Sequence, residues 1–162
     1  MKTPRNCFLL GAGGMGMAPL ALYLRGAGTE VEAFDDSFRE PVRSLLEHSG
    51  VYLLSEPEPN RCPEVVIRSS AVPEDRPELV RWRDQGVPVI RRGDFLGKLL
   101  ADRKVIAVVG SHGKTTSSAM LAWLLRKAEF PCGYIVGGLF RDLKVPPAVY
   151  SEAPWVVVEV DE

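Results

Sequence analysis

The chain has 162 residues and a formal charge of −1, which allows one large domain or two small ones. That balance leaves no broad basic surface for nucleic acid, and no apolar run approaches the roughly 20 residues a membrane-spanning helix needs. Cys7, Cys62 and Cys132 are odd in number and far apart; they make neither a metal spacing nor a disulfide framework, and suit a reducing cytoplasm.

The N-terminus runs directly into a strand and does not read as a signal peptide. Cys7-Phe8-Leu9-Leu10 is the strand, and Gly11-Ala12-Gly13-Gly14-Met15-Gly16 follows at once. A helix is expected from about Met17 to Arg25, with Pro19 in its first turn, where a missing N–H costs little. Gly26-Ala27-Gly28 stops it. Val31 to Phe34 is the second strand, ending at Asp35-Asp36. A glycine turn between strand and helix, with an acid about 20 residues on, is a nucleotide-binding fingerprint. The alternative is a tight turn that serves only helix–strand packing.

Ser37 to Glu40 has capping-box spacing, so a helix is expected through Pro41 to His48. His48 then sits near a helix end, as a charge for its dipole or as a plain surface residue. Val51 to Leu54 is a third strand, and Ser55 to Pro63 a loop. Val65 to Arg68 is a fourth strand, opening onto Ser69-Ser70-Ala71-Val72. Leu79 to Gln85 is a helix. Val87 to Ile90 is a fifth strand, placed at an edge or an end by Pro88. Arg91-Arg92 reads as a solvated pair, the alternative being a phosphate contact. Asp94 to Ala101 is helical, and Asp102-Arg103-Lys104 is a polar break.

Val105 to Val109 then reads as a buried parallel strand, and Ser117 to Arg126 as a helix with an apolar face. Between them lies Gly110-Ser111-His112-Gly113-Lys114-Thr115-Thr116. Strand, glycine turn, Gly-Lys-Thr and helix make a phosphate-binding loop. The glycines let backbone wrap an anion, and N–H groups at the helix start point at it. Lys114 adds charge near the β- and γ-phosphates, and the hydroxyl of Thr115 or Thr116 can ligate Mg²⁺. The loop is shortened, because Val108 stands where the general pattern has a glycine. His112 either contacts phosphate or fills the turn. Gly133 to Gly138 gives a short strand and turn, and Trp155 to Glu162 a last strand. Glu159 is an acid among valines, and a charge there is costly without a counter-ion; the alternative is a surface carboxylate at a strand end. Trp82, Trp123 and Trp155 read as core or interface.

Alternating strands and helices predict an α/β fold with parallel sheets covered by helices. A boundary is placed near Asp102. Residues 1–101 are expected to form a Rossmann-like unit, and residues 102–162 a second unit built on the phosphate loop.

Two nucleotide-type sites in tandem, the shortened loop, Ser69-Ser70-Ala71-Val72, Val136-Gly137-Gly138 and Glu159-Val160-Asp161-Glu162 together resemble the Mur ligases of bacterial cell-wall synthesis. Gly11 to Met17 resembles the branch that joins L-alanine to UDP-N-acetylmuramate. The stretches from Gly110 onward also resemble the sister branch that recycles murein tripeptide. The usual acid cluster of the family is Glu-Ala-Asp-Glu, with Val160 here in place of Ala. The resemblance covers the whole chain but only part of the family's length, and it implies that residues 102–162 are the truncated start of a phosphate-loop ATPase domain, without the family's C-terminal amino-acid-binding domain.

The resemblance implies an amide-forming ligase in which ATP phosphorylates the muramyl carboxylate and an amine attacks the acyl phosphate. It implies that Gly11, Ala12, Gly13, Gly14, Met15 and Gly16 hold the UDP part of UDP-N-acetylmuramate, with Asp35 near the uridine and Ser69 and Ser70 beside the pocket. Gly110, Ser111, His112, Gly113, Lys114, Thr115 and Thr116 would hold ATP, Lys114 and Thr115 acting in catalysis. Thr115 and Glu159 would ligate Mg²⁺. The amino acid or peptide amine would bind mostly outside this chain. Two other readings remain: a nucleotide-sugar-binding module without catalysis, and an NAD-type oxidoreductase domain, which has no use for a second triphosphate site. No nucleic-acid or membrane partner is expected. The fragment is expected not to turn over. Its second half is expected either to pair with another copy, giving a homodimer, or to be loosely ordered.

Overall fold

The computed structural model describes residues 2–160. Met1, at the N-terminus, and Asp161 and Glu162, at the end of the acid cluster, lie outside the described residues. The first half runs β1 (Asn6–Leu10), α1 (Met17–Gly26), β2 (Glu30–Phe34), α2 (Val42–His48), β3 (Tyr52–Leu53), β4 (Val66–Arg68), α3 (Pro77–Asp84), β5 (Val89–Arg91) and α4 (Arg92–Leu99). The second runs β6 (Lys104–Val108), α5 (Lys114–Lys127), β7 (Cys132–Ile135), β8 (Ala148–Val149) and β9 (Trp155–Glu159).

The first sheet has the order β3-β2-β1-β4-β5 and is parallel throughout. Pro88 does precede an edge strand, β5, where its missing N–H breaks no ladder. The second sheet has the order β6-β9-β7-β8; β6, β9 and β7 are parallel and β8 is antiparallel.

α1 binds the two sheets together. Every residue from Met17 to Leu24 is buried, as expected of a helix that is apolar all round. Leu20, Tyr23 and Leu24 share one core with Ile135, Ala148, Val156 and Val158 of the second sheet. Close approach is built in: a Cβ on Gly26 would stand 2.9 Å from Tyr150 Cβ, and one on Gly133 would stand 3.4 Å from Tyr23 Cε2. The sheets are separate, but the hydrophobic core runs across the polar break near Asp102.

Three expectations change. The capping box at Ser37 and Glu40 does not form. With Ser37 as N-cap, the N–H needed at the fourth position would belong to Pro41, which has none. The helix starts after Pro41 instead, and Glu40 Oε2 accepts from the Ser44 N–H at 3.3 Å. Second, β6 is parallel but not buried. Among the described residues it pairs on one side only, and Val105 is 42% and the following Val109 67% exposed. An apolar run reports strand character and cannot report how many neighbours the strand has. Third, α5 is apolar on both sides. Ser118 and Ala122 face the sheet, while Met120, Trp123 and Leu124 are exposed. Trp82 is a core residue, but Trp123 is not. His48 ends α2, where its Nδ1 meets the Ser44 carbonyl at 2.5 Å.

Candidate active site

β1 lies between β2 and β4, so the connections leaving β1 and β4 diverge and open a crevice at the carboxyl ends of the strands. Gly11 occupies that point with φ +82°; a Cβ would stand 2.9 Å from both Ser69 Cβ and Val72 Cγ2. Only glycine fits a left-handed turn so close to a neighbouring loop. The Gly11 and Ala12 N–H groups both donate to the Phe34 carbonyl, at 2.9 and 3.1 Å. Asp35 Oδ2 accepts from the Gly13 N–H at 2.8 Å, and Oδ1 from the Ser37 N–H at 2.9 Å. The acid of the fingerprint therefore shapes the glycine turn at the rim of the crevice.

Its neighbour Asp36 turns outward into a bidentate pair with Arg76, at 3.0 Å for each bond. That guanidinium holds the Asp36 carboxyl below the usual carboxylate range. Gly14 is exposed, while Met15 and Gly16 lead into α1 and are partly covered. Ser69 sits against Gly11, and Ser70 is exposed beyond it. Arg68, not singled out from the sequence, is 6% exposed and donates to the Val72 carbonyl at 3.0 Å. It also pairs with Glu74, which ties down the serine loop. Arg91 is solvated as expected. Arg92 is not: it is half-buried, its Nε 3.4 Å from where a Gly16 Cβ would stand. The strand-to-helix corner between β5 and α4 carries it to the start of α1.

The second turn joins β6 to α5. Gly110 has φ +144° and Gly113 φ +76°, so the backbone curls and the helix begins at Lys114. Lys114 Nζ folds back to donate to the Gly110 carbonyl at 2.7 Å. Its charge thus sits over the loop it belongs to. Ser111 and His112 are exposed, with His112 Nδ1 3.3 Å from Ser111 Oγ. Thr116 is also exposed.

Thr115 points the other way, into the sheet. Its Oγ1 donates to Glu159 Oε1 at 2.8 Å. Glu159 is 8% exposed and closes β9. Its Oε2 accepts from the Gly137 N–H at 2.8 Å and lies 3.4 Å from Ser118 Oγ. The surface-carboxylate alternative for Glu159 is thereby removed, and of the two threonines only Thr115 meets it. Two glycines make the room: a Cβ on Gly137 would stand 2.7 Å from Glu159 Oε2, and one on Gly138 would overlap Thr115 Cγ2.

This donor set fits Mg²⁺. It is all oxygen, and the buried carboxylate accepts from three neutral donors, so its charge lacks compensation from them. Among the described residues no group of three or more His, Cys, Asp or Glu could hold a metal. Mg²⁺ takes one or two protein groups and completes its shell with water and substrate phosphates.

A cavity of about 370 Å³ lies between the two halves, lined by Ser70, Arg92 and Leu96 on one wall and by Val105, Glu159 and Val160 on the other; none of Gly11–Gly16 or Gly110–Thr116 lines it. Among the described residues, no helix is long and apolar enough to cross a membrane.

Known proteins resemble this chain in sequence and fold. A UDP-N-acetylmuramate–L-alanine ligase of Carboxydothermus hydrogenoformans is 37% identical over 152 residues, covering 93% of this chain and 32% of that protein. The crystal structure of a UDP-N-acetylmuramate–alanine ligase from Thermotoga maritima superposes with a TM-score of 0.85 at 29% identity, covering 96% of this chain and 37% of its own. The UDP-N-acetylmuramate:L-alanyl-γ-D-glutamyl-meso-diaminopimelate ligase from Neisseria meningitides superposes at 0.83 with 27% identity, over 98% of this chain and 53% of its own. The chain spans about a third of the length of the curated relatives it matches. Residues 8–104 match the model of the Mur ligase family, catalytic domain. With that match across more than half its length, the chain belongs to the Mur ligase family.

Proposed function

We propose that this chain is the part of an ATP-dependent ligase that binds UDP-N-acetylmuramate and the phosphates of ATP, in an enzyme joining L-alanine to the muramyl carboxylate during peptidoglycan synthesis in the cytoplasm. The observation that carries this reading is the buried Glu159, which accepts from Thr115 Oγ1 directly after the Gly110–Gly113 turn, in a chain whose first glycine turn is braced by Asp35.

Residues 1–101 hold the UDP-substrate, with Asp35 and Ser69 shaping its turn. Residues 102–162 open the ATP-binding unit. Lys114 neutralises phosphate charge as the γ-phosphoryl passes to a carboxylate oxygen and ADP leaves. The amine then attacks the acyl carbon, phosphate departs, and the amine gives up a proton. Thr115 and Glu159 would hold Mg²⁺, which would supply neutralisation of phosphate charge when bound. A tripeptide amine in place of L-alanine is the second reading, favoured by the close superposition with the Neisseria ligase.

A thermal-shift titration tests the first site. UDP-N-acetylmuramate is expected to raise the melting temperature more than NAD at equal concentration; a larger shift with NAD would sink the reading. Without the rest of the enzyme to close over the acyl phosphate, the chain alone is expected not to turn over.

Self-association is proposed along β6, whose outer edge is unpaired among the described residues and adjoins the exposed Val105 and Val109. Light scattering is expected to show a dimer. A monomer with slow hydrogen exchange throughout residues 105–160 would refute both the pairing and the loosely ordered alternative.

A further inference from the structure

Ser118 was not marked by the sequence, and the reaction just described does not use it. It lies one turn after Thr115 on the same side of α5, and it is wholly buried. A serine inside a helix ordinarily turns its hydroxyl to a carbonyl in the preceding turn. Ser118 Oγ does so, to the Thr115 carbonyl at 3.1 Å, but it also stands 3.4 Å from Glu159 Oε2. One hydroxyl hydrogen is thus shared between two acceptors.

The two oxygens of Glu159 are unequally engaged. Oε2 faces the Gly137 N–H and Ser118 Oγ, both fixed within the fold. Among the described residues Oε1 accepts only from the Thr115 hydroxyl, the other proposed metal ligand.

We infer that Ser118 is a positioning residue: with the Gly137 N–H it anchors Glu159 Oε2, so that Oε1 is presented to a divalent cation beside Thr115. This rests on the reading of Glu159 as a metal-bearing carboxylate. A carboxylate held at one oxygen keeps its plane fixed while the other oxygen exchanges the Thr115 hydroxyl for the cation. Outer partners of this kind orient ligands, and losing one typically weakens metal binding tenfold to a hundredfold.

The test measures Mn²⁺ binding to the full chain in the presence of ADP, by electron paramagnetic resonance, for the wild type, Ser118→Ala, Ser118→Thr and Glu159→Gln. ADP affinity in excess chelator is measured alongside. Ser118→Ala is expected to weaken Mn²⁺ binding by about tenfold or more with ADP affinity in chelator unchanged, and Ser118→Thr to restore it. If Ser118→Ala binds Mn²⁺ like the wild type while Glu159→Gln does not, the role of Ser118 is overturned and the reading of Glu159 stands. Equal losses of Mn²⁺ and of chelator-insensitive ADP binding would show a merely structural serine and also overturn it. If Glu159→Gln leaves Mn²⁺ binding intact, the metal reading itself falls, and this inference with it.

Discussion

Tyr23→Ala is expected to destabilise the whole chain by about 3–5 kcal/mol, the range for truncating a large buried aromatic. The Tyr23 ring is 1% exposed and meets the Tyr150 ring edge-on, with centroids 5.4 Å apart. It fills the seam between the two sheets, so its loss opens a cavity that belongs to both. Against a typical total of about 5–15 kcal/mol, such a loss is a large fraction. Urea denaturation should show the midpoint fall in one transition, with hydrogen exchange accelerating in β1 and β2 and in β7 and β8 alike. Acceleration confined to residues 2–101 would mean that the halves fold independently. Tyr23→Phe is the control. Among the described residues the Tyr23 hydroxyl has no hydrogen-bond partner, so its removal should change stability by no more than about 1 kcal/mol.

Gly137→Ala should have the largest effect on ligand binding. The new methyl would stand 2.7 Å from Glu159 Oε2, below any real carbon–oxygen contact. The carboxylate must swing away, and it loses the 2.8 Å bond from the Gly137 N–H as it goes. Leaving a buried charged acceptor short of a donor costs about 1–3 kcal/mol. The expected result is a loss of about tenfold or more in Mg²⁺-dependent ADP binding, with ADP binding in chelator much less affected. A fluorescent ADP titrated with and without Mg²⁺ reads both. Unchanged Mg²⁺ dependence would show that Glu159 is not the residue through which the cation is felt.

Both glycine turns were legible in the sequence because their constraints are local. A strand, a backbone that needs positive φ, and a helix start follow one another within a dozen residues at Gly11 and again at Gly113. Glu159 stood out as an acid among valines, but its metal role, like the place of Ser69, came from family likeness, since their partners are far away along the chain. The contacts that went unseen are of that distant kind. Nothing near Ser118 announces Glu159, and nothing near Arg92 announces Gly16. The edge position of β6 was illegible for a related reason: five apolar residues look alike with one neighbour or two. The unbroken apolar run of α1 did carry a signal, because a helix with no polar face must be covered on every side. What covers the second side was visible only in three dimensions.

The order β6-β9-β7-β8 has a consequence for how the phosphate site comes into being. β9 is made after β6, α5, β7 and β8, yet it is the strand that separates β6 from β7. Until it inserts, those two strands have no ladder between them, and α5 lies over a gap. Such a late, distant pairing closes slowly and exposes apolar edges while it waits. Glu159 is the last residue of that strand. The step that completes the sheet is therefore the step that delivers the carboxylate to Thr115. On the ribosome, a nascent chain shorter than β9 would carry a glycine loop and a lysine but no acid to oppose them, so nucleotide binding and closure of the second sheet should appear together in time.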